Sequence, residues 1–94
     1  MGFLDQLKQI QELKSKMDDV KSRLDTITVS EENQYVKAIV NGNQKITTIE
    51  IKQQADPREL EKQLLTVLNE ALTKSDTVRQ SEMKGIMPNI PGLG

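Results

Sequence analysis

Five cations in the first quarter of the chain carry its most legible chemistry. Lys14 and Lys21 stand seven residues apart, as do Lys16 and Arg23, and Lys8 precedes them. Ammonium and guanidinium groups in such a row suit the neutralisation of nucleic-acid phosphates, which gives salt-sensitive binding with little base readout. They equally suit a plainer use, in which aliphatic stems cover an apolar seam and charged heads pair with acids such as Glu61, Glu70, Asp76 and Glu82. Both readings stand on the residues alone. Arg79 and Lys84, on the polar end of the last periodic segment, are secondary candidates for phosphate contact.

Other chemistries are poorly provided for. The 94 residues hold no His and no Cys, which removes Cys–His and Ser–His nucleophiles, the ordinary zinc sites and any disulfide staple. Asp18 and Asp19 are neighbours on a helical segment and point apart, so they do not converge on a metal. No paired carboxylates occupy a cleft-forming context, and neither an enzyme, a cofactor nor a small-molecule substrate is expected. Lys and Arg total 13 against 14 Asp and Glu, a formal charge of −1, which argues mildly against a nucleic-acid module. Phe3 and Tyr35 are the only aromatics, which weakens single-strand binding by base stacking. No apolar run reaches the ~20 residues of a membrane span, and the first residues do not read as a signal peptide, so a cytoplasmic location is expected.

The cations sit on a segment with helical rhythm. Phe3, Leu7, Ile10, Leu13, Met17, Val20, Leu24 and Ile27 are its apolar positions, and from Ile10 they alternate three and four apart. That spacing is a heptad seam, narrower than the stripe of a helix lying on a globular core. With Ile10, Met17 and Leu24 at position a, Lys14 and Lys21 fall at e and Lys16 and Arg23 at g. Glu12, Asp18, Asp19 and Asp25 keep to the outer face. The spacing predicts a long helix with one packed edge, flanked on both sides by cations.

From Thr26 to Lys52 the period falls to two and β-branched residues become frequent. Ile27–Ser30 reads as one strand, followed by a polar break at Glu31-Glu32-Asn33-Gln34. Tyr35–Val40 and Lys45–Ile51 flank Asn41-Gly42, a strong hairpin signal. A two-residue turn sets apolar side chains opposite polar ones. A loop at Asn41–Gln44 instead sets Val36 opposite Ile49 and Ile39 opposite Ile46. Val36, Ala38, Val40 and Ile49 then share one face, and Tyr35, Ile39 and Ile46 the other, so both faces need cover.

Asp56-Pro57-Arg58-Glu59 announces a second helix, with Asp56 as N-cap, Pro57 at its first position and Glu59 closing a capping box. Leu60, Leu64, Leu65, Val67, Leu68, Ala71 and Leu72 make its first turns apolar over a wide arc, and the turns from Thr73 project. Gly85 ends it. Two of the three prolines follow, in a tail whose apolar residues Ile86, Met87, Ile90 and Leu93 either dock on a partner subunit or stay free. The expected organisation is a single domain over 1–85 and a tail over 86–94. A core this small hides only ~60–65% of the unfolded chain's surface, so a second subunit is a natural supplement.

The order helix, three short strands, long helix and Pro-Gly-Leu tail resembles the YbaB/EbfC family of small bacterial nucleoid-associated proteins over essentially the whole chain. Val36-Lys37-Ala38-Ile39-Val40-Asn41-Gly42, Ile46-Thr47-Thr48-Ile49-Glu50-Ile51 and the terminal Ile90-Pro91-Gly92-Leu93 carry the resemblance. It departs at Glu31–Gln34, where the family has a glycine-rich stretch, and near Gln44, where it has a loop glycine. The resemblance implies an α+β fold (α-β-β-β-α) and a homodimer with helices protruding from a sheet-based core. It further implies association with double-stranded DNA in the nucleoid. Lys8, Lys14, Lys16, Lys21 and Arg23 would then line the inner surfaces of a dimeric clamp, assisted by Arg79 and Lys84. The alternative is a protein-interaction module of the same fold, whose arms grip another protein.

Overall fold

A computed structural model describes residues 2–85 and follows the expected order. Helix α1 (Phe3–Thr26) leads to strands β1 (Thr28–Glu32), β2 (Val36–Asn41) and β3 (Ile46–Ile51), and helix α2 (Pro57–Lys84) closes the described chain. The strands form one antiparallel sheet in the order β1-β2-β3. The tail 86–94, with Ile86, Met87, Ile90 and Leu93, lies outside the described residues.

The polar break between β1 and β2 is shorter than its sequence suggests. Glu31 and Glu32 end β1 and pair with Ala38 and Lys37. Only Asn33–Tyr35 make the turn, with Asn33 Oδ1 accepting the N–H groups of Tyr35 (2.8 Å) and Val36 (3.0 Å). The two acids are tolerated because cations from elsewhere answer them. Lys74 of α2 pairs with Glu31. Lys52 pairs with Glu32 at 3.0 Å and holds that carboxyl below the usual carboxylate range.

The β2–β3 hairpin differs from the expected register by two residues, and the cause is local. The Asn41 N–H donates to the Lys45 carbonyl at 2.8 Å, leaving Gly42-Asn43-Gln44 as the loop. Gln44 takes φ 63°, the left-handed residue that a three-residue hairpin loop needs. Val40 then faces Ile46, but Ile39 faces Thr48, so Thr47 is an extra residue in β3. This bulge reverses the alternation along the rest of the strand. Ile49 comes opposite Ala38 and Ile51 opposite Val36, where an unbulged strand would have placed Thr48 and Glu50. Ile49 thus shares a face with Val36 and Ala38 as expected, whereas Ile46 stands opposite Val40 instead of Ile39.

Helix α2 covers that face over β2 and β1. Val36, Ala38, Val40 and Ala71 are fully buried, Val67 nearly so, and Leu60, Leu64 and Leu68 pack around them. Tyr35, assigned by alternation to the opposite face, also packs against this cluster. Pro57 opens the helix, but the capping box does not form. Asp56 makes no side-chain cap, and Glu59 accepts a hydrogen bond from Gln63 at 2.7 Å.

Helix α1 meets the body only near its C-terminus, where Val20 and Leu24 are buried. Its 24 residues span about 36 Å. The described end of α2 runs beside its last turns, and the free part of α1 makes the molecule 65 Å long with a radius of gyration of 18.7 Å. A compact chain of this length would have a radius near 12 Å. No described helix is long and apolar enough to cross a membrane.

Candidate nucleic-acid interface

The heptad seam that set the cations' positions is real as a helical face and mostly unpacked. Leu7, Ile10, Leu13 and Met17 remain exposed, Ile10 to 62%. Lys14 and Lys21 line one flank of this face and Lys16 and Arg23 the other, each pair about 10 Å apart along the axis. Lys8 lies nearer the tip, off the seam. All five side chains are exposed.

The two readings of these cations divide among them. Arg23 has a carboxylate partner: its guanidinium donates to Glu82 at 3.0 Å, joining α1 to α2. Lys8, Lys14, Lys16 and Lys21 form no ion pair among the described residues. Of the acids expected as partners for the α1 cations, Glu82 alone serves, and Asp76 is bound by Arg79 (2.6 Å) on its own helix. Lys84 also lacks an ion pair among the described residues and ends α2.

Lys21 and Arg79 come together although 58 positions separate them. Both border a cleft between α1 and α2, of about 240 Å³, floored by Met17, Val20, Leu24 and Met83. The hairpin loop closes one side of it. Asn43 Nδ2 donates to the Lys21 carbonyl at 2.9 Å and also to Asp25 Oδ1. The Gly42 N–H donates to the carbonyls of Leu24 (2.8 Å) and Ile27 (3.0 Å). Gly42 and Asn43 therefore occupy themselves with the carbonyl end of α1, satisfying acceptors that a helix terminus leaves free. The loop is an anchor for the basic helix.

Two groups of cations result. Lys8, Lys14 and Lys16 stand on the free rod of α1, and Lys21, Arg23 and Arg79 gather at its base. Ammonium groups without an ion pair among the described residues, set on different sides of a protruding rod, reach a polyanion without first displacing a carboxylate.

A second surface was not evident from the sequence. Ile46, Ile49 and Ile51 are all exposed on β3. Lys74 and Gln63 of α2 reach toward β1 and Asn33, so Leu65 and Leu72 fall on the opposite flank of that helix, beside β3. Leu65 is 64% exposed. The signal was present in the apolar character of both expected sheet faces, but locating the uncovered edge required knowing where α2 crosses.

Comparison with known proteins places these features in context. The model of the YbaB/EbfC DNA-binding family matches residues 1–90. A nucleoid-associated protein of Flavobacterium johnsoniae is 33% identical, covering 99% of this chain and 92% of its own. One from Thermus thermophilus is 33% identical over 88% of this chain and 86% of its own. The fold is similar to the crystal structure of an uncharacterized Helicobacter pylori protein, with a TM-score of 0.81 at 14% identity, covering 94% of this chain and 99% of that one.

Proposed function

Since the chain belongs to the YbaB/EbfC DNA-binding family, we propose that it is a homodimeric nucleoid-associated protein that binds double-stranded DNA without catalysing a reaction. The names of its relatives support the nucleoid role. The observation that carries the phosphate-contact reading is the set of exposed lysines on α1, Lys8, Lys14, Lys16 and Lys21, without carboxylate partners among the described residues. Contacts of this kind neutralise backbone charge and read little sequence. Arg79, which is paired with Asp76, and Lys84, in the last turn of α2, are secondary contacts near the base of the rod.

The uncovered face of β3 supports the homodimer. Ile46, Ile49, Ile51 and Leu65 form an apolar patch on a chain with little core of its own. Withdrawing each from water is worth about 1.5–3 kcal/mol. Two copies joined there would carry two basic rods and supply the pincer that brackets a duplex.

A gel-shift titration with random-sequence duplex at several salt concentrations tests this reading. The bound fraction should rise steeply as salt falls. Charge reversal of Lys14, Lys16 and Lys21 should abolish the shift while light scattering still reports a dimer. Absence of any shift at low ionic strength moves the function to the protein-interaction alternative.

A further inference from the structure

The base of the α1 seam is already occupied, and its occupant is a helix. In the last turns of α2, Met83 borders the cleft floor beside Met17, Val20 and Leu24, and the Glu82 carboxylate is bound to Arg23 at 3.0 Å. One amphipathic surface thus brings an apolar side chain to the seam and an acid to its basic flank. One heptad nearer the tip the same pattern recurs. Lys16 takes the place of Arg23, Met17 that of Leu24, and Leu13 that of Val20. There Leu7, Ile10 and Leu13 are exposed, and Lys14 and Lys16 form no ion pair among the described residues.

Width and charge select what fits this stretch. From Ile10 the alternation of three and four gives two apolar positions in each heptad, the seam of paired helices, whereas a helix lying in a lipid interface presents a broader apolar face. The e and g positions flank such a seam and decide which helix may join it. Here all four in the two heptads from Lys14 to Arg23 are cationic. A second α1 would set g against e in a parallel pair, or e against e and g against g in an antiparallel one. Either way cation meets cation, so two arms repel each other along this face. Duplex DNA would answer the cations but leave Leu7, Ile10 and Leu13 in water.

We propose that the free part of α1 docks an amphipathic helix of another protein, one whose apolar stripe is flanked by Glu or Asp. The stripe covers Ile10 and Leu13, and the acids meet Lys14 and Lys16, as Met83 and Glu82 do at the base. The inference needs only the geometry of the arm and stands whether or not the arm binds DNA.

Full-length protein and two synthetic helical peptides of about three heptads test it. Both peptides carry Leu at a and d; one has Glu at every e and g, the other Lys. By fluorescence anisotropy the Glu peptide should bind, and the Lys peptide should bind about tenfold more weakly or worse. Ile10→Ser with Leu13→Ser should weaken the Glu peptide about a hundredfold, with the light-scattering mass and amide exchange in β2 unchanged. Lys14→Glu with Lys16→Glu should shift the preference about tenfold toward the Lys peptide, which loss of fold would not do. Failure of the Glu peptide to bind, or equal binding of both peptides by the unaltered protein, overturns the proposal. So does a smaller mass for the serine variant, which would make the seam a joint between copies of this chain. Binding to phosphatidylglycerol vesicles in place of the Glu peptide overturns it in favour of a lipid surface.

Discussion

Gly42 lies directly on Leu24. Its N–H donates to the Leu24 carbonyl at 2.8 Å, and a Cβ built at Gly42 would stand 2.8 Å from both that oxygen and the Leu24 Cδ2. The hairpin and the basic helix therefore meet backbone to backbone. Gly42→Ala should push them apart and cost about 1–3 kcal/mol, the usual penalty of overpacking. Urea unfolding measures it; an unchanged midpoint would show that Leu24 yields freely. Asn43→Ala, which removes the side-chain bonds to the Lys21 carbonyl and to Asp25, should cost less, about 1 kcal/mol.

Gln44 holds φ 63° in the same loop, a conformation that side chains resist by about 1–2 kcal/mol. Gln44→Gly relieves that strain at an entropic cost of about 0.5–1 kcal/mol. A net gain near 0.5–1 kcal/mol should appear as a rise of a few degrees in Tm. A lower Tm would mean that the Gln44 side chain has a compensating interaction.

Ile49→Asp tests the self-association surface. Ile49 is exposed on a single chain, so the substitution should leave the far-ultraviolet circular dichroism spectrum intact. Placed in an apolar interface, the buried charge should drive the dimer to monomers by light scattering. A dimer of unaltered strength would relocate the interface.

The Arg23–Glu82 pair predicts a gain of function. Its side chains are 61% and 33% exposed, so its contribution to stability lies within about 1 kcal/mol. Glu82→Gln frees Arg23 and removes a negative charge from the base of the arm. Duplex affinity should rise, with log K falling more steeply with log salt by about 0.9 for each additional phosphate neutralised. Weaker binding by this variant would assign the pair to holding the arm in place.

One carboxylate gives a pH signature. Glu32 titrates below its ordinary 4.5 because Lys52 bonds it and adds positive potential. The stabilisation from that pair is present above the unfolded value and is lost as pH falls through the lowered folded value. Lys52→Met should return the Glu32 titration, followed by carbonyl-carbon NMR, toward 4.5. A curve unmoved by the substitution would assign the lowering to another group.

Much of the scaffold was legible because it is written in local rules. Helical periodicity, Asn41-Gly42 between β-rich runs and Pro57 after Asp56 each act within a few residues. The bulge at Thr47 was not, since alternation counts residues and a bulge inserts one without changing residue type. Glu31 and Glu32 read as loop for a related reason: acids favour strands poorly, and their partners Lys74 and Lys52 come from distant positions. For the candidate site, the seam and its basic flanks followed from heptad spacing. That Arg23 is tied and Lys21 is not depends on where α2 places Glu82, 59 residues beyond Arg23. No short-range pattern encodes that.

The free rod of α1 also governs how this protein will behave in the hand. A body stretched to 65 Å suffers extra frictional drag, so a lone 10.6 kDa chain will leave a sizing column early and masquerade as a pair. Elution volume would then flatter the dimer hypothesis whether or not it is correct, and absolute mass is the quantity that decides it.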